Sequence, residues 1–274
     1  MPHSVSPLIE TLTASPWQMT FGERAALEGI LSQQKPKLAI EIGTAEGGSL
    51  ARIAEHSGTV HSFDIVPPAS PETLPSNARI HTGDSHSLLP EFLASLAAEG
   101  ANVDFVLVDG DHTAAGVECD LRDLLASDAV ARTLILLHDA LNDEVREGLQ
   151  RVDFESEPKV VYADLDFIGG HLSSSGSFHN ELWGGIGLVV VDERGEAPPS
   201  QTRDDGAFYD LFDLLAPTRD ALVSGGASDP TARDLSFELA RKTALIEEMR
   251  CSTSWRVTAP LRAARRLLVS RRRG

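Results

Sequence analysis

The sequence predicts an α/β fold, a doubly wound and mostly parallel seven-stranded sheet with helices on both faces and a C-terminal helical appendage, from three observations. From Lys37 onward, short β-branched or aliphatic runs alternate with stretches of helical periodicity. That alternation is the signature of strand–helix–strand units, whose crossovers bury both faces of a parallel sheet. A glycine-rich turn, Gly43 to Gly48, follows the first run and opens a helix, at the edge where such sheets meet their ligands.

Strands are expected at residues 38–42, 60–64, 78–81, 105–109, 133–138, 159–162 and 187–192. Helical spacing of apolar residues places helices at 47–57, 87–98, 114–125 and 142–150, with one more at 22–33 before the first strand. Residues 169–183, GGHLSSSGSFHNELW, read as a long surface loop between the last two strands. Residues 198–206 have the Pro, Ser and charge content of a linker, and helical periodicity returns at 207–215 and 231–250. The expected organisation is a main domain over 1–195 and a linker, helical segment and basic tail over 196–274.

Composition narrows the function. The 274 residues are 42% hydrophobic and 24% charged, ordinary values for a globular chain, and no run reaches the roughly 20 apolar residues that a membrane helix needs. Two cysteines, Cys119 and Cys251, are too few for a disulfide framework, and the first residues lack the pattern of a secretory signal, so a cytoplasmic location is expected. The net charge is −17; six arginines lie in residues 262–274, and removing their +6 leaves −23 on the rest. Such a body repels a phosphate backbone, which argues against a nucleic-acid substrate.

The chemistry concentrates at strand ends. Glu41, Gly43, Gly47 and Gly48 border the first turn, where glycine lets the backbone approach a ligand closely. The spacing G-x-x-x-G lacks the G-x-G-x-x-G that seats a pyrophosphate, which disfavours a dinucleotide. A carboxylate such as Glu41 beside the loop suits a ligand carrying a sulfonium. Asp64, 23 residues after Glu41, ends the second strand where an acid accepts bonds from ribose hydroxyls. Gly83-Asp84-Ser85 follows the third strand and offers an acid and a hydroxyl to an adenine edge, and the fourth strand runs into Val108-Asp109-Gly110-Asp111-His112.

With these motifs the chain resembles the class I S-adenosylmethionine-dependent methyltransferases over residues 19–192, in particular the bacterial sugar and natural-product O-methyltransferases with a V-D-G-D-H motif. The resemblance implies a Rossmann-like fold and S-adenosylmethionine as cofactor. It implies that Glu41, Gly43, Thr44 and Gly47 border the methionine part, that Asp64 holds the ribose, that Asp84 and Ser85 lie near adenine, and that Asp109 adjoins cofactor and reaction centre. Some relatives use Mg²⁺ held by acids after the fourth and fifth strands, positions matched by Asp109 and Asp139; Ala140 departs from that pattern, because it offers no side-chain ligand.

Such an ion would act as a Lewis acid on the acceptor oxygen. Without it, His112 or His138 is placed to take the hydroxyl proton, with Asp139 beside them. His171, His179, Asn180, Glu181 and Trp183 mix polar groups with an aromatic ring, as a sugar-binding element does. Residues 252–262, STSWRVTAPLR, resemble an S-x-S-W-R-x-T-x-P-L-R ending found on enzymes that build surface polysaccharides, which points to a small-molecule or glycan acceptor. The arginines after it suit peripheral contact with anionic lipid, and a homo-oligomer is left open. The competing readings are an NAD-linked oxidoreductase and a non-catalytic nucleotide-binding or scaffold module.

Overall fold

A computed structural model describes residues 17–66, 74–173, 178–194 and 211–224. The chain divides into two units, Met1–Arg219 and Asp220–Gly274, and the sheet lies wholly in the first. The linker expected at 198–206, the helix expected at 231–250 and the arginine-rich tail lie outside the described residues.

Helix α1 (Phe21–Gln34) starts on a reciprocal capping box: the Glu23 amide donates to the Thr20 hydroxyl while Glu23 Oε2 accepts from the Thr20 amide. Then follow β1 (Leu38–Ile42), α2 (Gly48–His56), β2 (Thr59–Asp64), β3 (Ala78–Thr82), α3 (Ser85–Ala98), β4 (Phe105–Val108), α4 (Ala114–Ala126), β5 (Arg132–His138), α5 (Asp143–Gln150) and β6 (Val160–Ile168). The chain continues through the two-residue strands β7 (His171–Leu172) and β8 (Leu182–Trp183), then β9 (Ile186–Asp192) and α6 (Leu211–Ser224).

The seven-stranded sheet has the order β3-β2-β1-β4-β5-β9-β6; β9 pairs antiparallel with β5 and β6, and the pairs β3-β2, β2-β1, β1-β4 and β4-β5 are parallel. Side chains alternate across it. Ile40, Ile42, Val106, Val108, Ile135 and Leu137 face Leu89 and Leu93 of α3, Leu121 and Leu124 of α4 and Leu149 of α5. Ala39, Phe105, Leu107 and Leu136 face Leu27 and Leu31 of α1 and Leu50 and Ile53 of α2. Both faces are dry, which is why the strands read as continuous apolar runs.

Three elements differ from expectation. The strand expected at 159–162 runs on to Ile168, because Asp166 pairs with the buried Arg146 and Asp164 caps the backbone of Asp166, so its acids are satisfied within an edge strand. The expected loop at 169–183 contains the β7–β8 pair. The helix expected at 207–215 extends from Leu211 to Ser224, anchored by Phe212 under the Arg146 guanidinium and by the ion pair of Arg219 with Asp143. Pro217 lies within it.

In this topology the strand order reverses between β1 and β4, and Ile42 is level with Phe63 on one side and Val108 on the other. The residues that follow therefore emerge at one lip. Gly43 (φ 92°) passes so close to the next strand's exit that an added Cβ would sit 2.0 Å from the Asp109 carbonyl oxygen. Gly43→Ala thus meets fixed backbone in a backbone region closed to alanine. It should cost about 3 kcal/mol or more in urea unfolding, and a loss below about 1 kcal/mol would show that the crossing can relax.

Candidate active site

The lip bounds a single cleft of about 1090 Å³, larger than most small-ligand sites and sufficient for two ligands side by side. Its β1–β3 half is organised around backbone. Asp64 Oδ2 accepts from the amides of Thr44 (2.8 Å) and Ala45 (2.9 Å), and Oδ1 accepts from Val66 N (2.8 Å). Asp64 thereby ties the end of β2 to the glycine-rich turn, whose Gly43, Ala45 and Gly47 all have positive φ. Gly47 serves as N-cap of α2, and Gly48, not Gly47, borders the cleft. Asp84 caps α3 by accepting from His86 N (3.0 Å), and Ser85 stands beside it at the cleft wall.

Glu41 is placed differently from the expectation. It shares the face of Ala39 and lies fully buried beneath the turn, away from the cleft. Ser49 Oγ donates to one carboxyl oxygen (2.6 Å) and Ser62 Oγ to the other (2.5 Å), and Ser62 in turn meets Thr44 Oγ1 at 2.6 Å. Burial pushes its pKa up to about 8, more than the two serine bonds pull it down. Burial thus favours its neutral form, and through the two serines Glu41 braces the turn from behind.

The other half is an interleaved set of acids and imidazoles. His112 Nε2 meets Asp139 Oδ2 at 3.0 Å, and Asp139 Oδ1 accepts from Gly184 N at 2.8 Å. His138 Nδ1 meets Asp109 Oδ1 at 2.9 Å and Asp139 Oδ2 at 3.5 Å, while its Nε2 lies 3.6 Å from Glu23 Oε2. Asp139 has φ 51°, a strained conformation for a non-glycine residue, held because its carbonyl accepts from Asn142 N (2.8 Å) and its carboxylate is pinned on both oxygens.

Burial alone would depress the pKa of His138, but Asp109, then Asp139 and Glu23, outweigh it and hold the ring well above its usual value. The bond to Asp139 raises His112 despite burial. Asp139 is lowered because the two histidines overcome its own burial, and Glu23 falls to about 2 as His138, Thr20 and Gly185 overcome the same effect. Opposite charges within 4 Å in a partly dry site account for all four directions.

Asp109, His138 and Asp139 each offer a ligand atom within 4.8 Å of one another. Two carboxylate oxygens and one ring nitrogen fit a divalent cation, and the nitrogen suits an ion that tolerates imidazole better than Mg²⁺, which prefers oxygen throughout.

Of the sequence-selected residues, the cleft brings together Gly43, Thr44, Asp64, Asp84, Ser85, Asp109, His112, His138 and Asp139. From the loop it takes His171 and Trp183, together with Phe178 packed edge-on against the indole; Glu181 holds the indole N–H at 2.9 Å from outside. Sequence reasoning missed Glu23, Trp17 and Met19, which α1 and its lead-in bring over the cleft. The T-x-x-E pattern at Thr20–Glu23 is a local signal of a helix start that could have drawn attention to Glu23, but its bond to Gly185 N (2.5 Å), 162 residues later, belongs to the tertiary fold.

The parallel sheet reverses at β1/β4, and one cleft at that reversal holds the glycine-rich turn, the acid that ends β2 and the acid–imidazole centre. Residues 40–140 match the family described as "Methyltransferase domain".

No curated protein matches the chain. Among solved structures it is similar to an O-methyltransferase from Bacillus cereus in complex with SAH (20% identity, 67% of this chain and 86% of that one, TM-score 0.45). It is also similar to the O-methyltransferase TomG from Streptomyces achromogenes in complex with SAM (14%, 69% and 96%, 0.47). A third is the MycE methyltransferase of the mycinamycin pathway with Mg and SAH (16%, 77% and 58%, 0.46).

Glu41 sets a pH test. Its native pKa lies above the unfolded value, so the stability it contributes is complete below about pH 4.5 and is lost as pH rises through about 8. Glu41→Gln removes that loss: the variant's melting temperature should gain on the wild type steadily from pH 5 to about 8. A difference independent of pH would mean that Glu41 is ionised in the fold.

Proposed function

We propose that the protein transfers the methyl group of S-adenosylmethionine to a hydroxyl oxygen of a small or glycan acceptor. The observation that carries this reading is the His112–Asp139 pair beside the cofactor half of the same cleft. With Nε2–H donating to Asp139, Nδ1 of His112 is left to accept the acceptor's proton; a raised pKa makes it a stronger base. The acceptor oxygen then attacks the methyl carbon, the S–C bond breaks with its electron pair on sulfur, S-adenosylhomocysteine departs, and the proton leaves His112 for solvent.

His138, also a candidate base, is only 4% exposed and wedged between carboxylates that keep it protonated, so its role is to hold Asp109 and Asp139 in place. A divalent ion that displaced the His138 proton and was held by Asp109, His138 and Asp139 would supply Lewis acidity at the acceptor oxygen. Most of the acceleration should come from holding oxygen, methyl carbon and sulfur in line, an effect of about 7–11 kcal/mol in favourable cases. Trp183, Phe178 and His171 offer an apolar face rimmed by polar groups, which suits a saccharide ring, and the polysaccharide-enzyme-like ending at 252–262 supports the same acceptor class.

Calorimetry with S-adenosylmethionine and label transfer to neutral glycan fractions, with and without chelator, test the proposal. Asp64→Ala should weaken cofactor binding about tenfold or more. His112→Ala should leave that binding intact and slow transfer by about 10²–10⁴. Full transfer by His112→Ala would remove the assigned base, and no cofactor binding by the wild type would remove the function.

A further inference from the structure

Behind the adenine end of the cleft lies an acid that the reaction does not use. Asp120, on α4, is completely buried, and its Oδ1 accepts from Ser85 Oγ at 3.2 Å. His86 Nε2 lies 3.4 Å from the same oxygen, and Oδ2 has no hydrogen-bond partner among the described residues. Burial raises its pKa to about 6, with Asp111 and Asp123 pushing the same way. An apolar side chain would pack α3 against α4 without the cost of burying a carboxyl with one oxygen unpaired. The placement directly behind two cleft-wall residues, Ser85 and His86, therefore calls for another reason.

We propose that Asp120 makes the cofactor site selective for adenine by accepting the hydrogen bond of the Ser85 hydroxyl, so that Ser85 Oγ can only accept hydrogen bonds from a ligand. The inference rests on the assignment of Asp84 and Ser85 to the adenine end. A serine hydroxyl has one proton and two lone pairs; once the proton is committed to Asp120, the oxygen meets the cleft as an acceptor. It then complements a 6-amino group, which donates, and opposes a 6-oxo group, which does not. This holds in either protonation state of Asp120, since Oδ1 remains an acceptor when the proton sits on Oδ2. His86, held between Asp84 (3.5 Å) and Asp120, keeps the acid from turning away.

Asp120→Asn has the same shape and reverses the polarity, because its amide can donate to Ser85 Oγ and free the hydroxyl proton to face the cleft. The test compares the affinities of the full-length protein for S-adenosylhomocysteine and S-inosylhomocysteine by calorimetry. The wild type should prefer the adenosyl ligand by about tenfold or more, and in Asp120→Asn the ratio should fall to about one or invert. A merely structural role for Asp120 would weaken both ligands alike and leave the ratio unchanged, which overturns the proposal, as does a wild type that does not discriminate.

Ser85→Ala provides an independent arm. It must also abolish the preference, and if it keeps it the proposal fails whether or not Asp120→Asn folds. A wild type that binds neither ligand rejects the cofactor assignment itself, and this inference with it.

Discussion

Everything at the site depends on the backbone crossing at the point where the strand order reverses. Gly43 N donates to Phe63 O and Asp109 N donates to Ile42 O, both at 2.8 Å, so the exits of β1, β2 and β4 are tied by main-chain bonds. Beyond them the chain diverges, Gly43 towards the cofactor half and Asp109 towards the acid–imidazole centre. The spacing between the two halves of the cleft is thus set by peptide geometry. Main-chain spacing of this kind suits a displacement that needs three atoms in line.

The same geometry explains what could be read in the sequence. Strands buried on both faces announce themselves as largely apolar runs, and the polar residues at or just past their carboxyl ends, Asp64, Asp84, Asp109, His138 and Asp139, mark the lip where ligands bind. Glu41 was misplaced by its nearness to the glycine turn. Two-residue periodicity puts it on the face of Ala39, under α2, and the serines that satisfy it lie 8 and 21 residues away. Nothing local to Glu23 signals its reach to Gly185, and the left-handed turn at Asp139 has no signature in a residue that is not glycine. Those features come from contacts between elements, which local patterns do not encode. The length of β6 was hidden for the same reason: its acids are paired by Arg146 on another element.

His112 and His138 show how environment divides labour between identical side chains. Both face Asp139, yet His138 has carboxylates at both ring nitrogens and almost no solvent, whereas His112 has its carboxylates at Nε2 alone and 39% of its side chain exposed. A ring with carboxylates at both nitrogens is favoured in its protonated form. A ring held at one nitrogen keeps the other for proton transfer, and the bond that holds it also fixes its tautomer.

Three buried or nearly buried acids support groups that face the cleft: Asp139 supports His112, Glu41 supports Ser49 directly and Thr44 through the buried Ser62, and Asp120 supports Ser85 and His86. Their pKa values move in opposite directions, down for Asp139 and up to about 8 and about 6 for Glu41 and Asp120. The difference follows from what each acid faces. Asp139 meets two imidazoles whose hydrogen bonds and charge favour its ionised form over the opposing effect of burial. Glu41 meets only hydroxyls, and Asp120 a hydroxyl and a single histidine, so burial prevails and the proton is retained more readily. In each case the acid restricts the rotamer or tautomer of the residue in front of it. A cleft whose working groups are held from behind loses little conformational freedom when ligands arrive, and that favours a reaction limited by alignment.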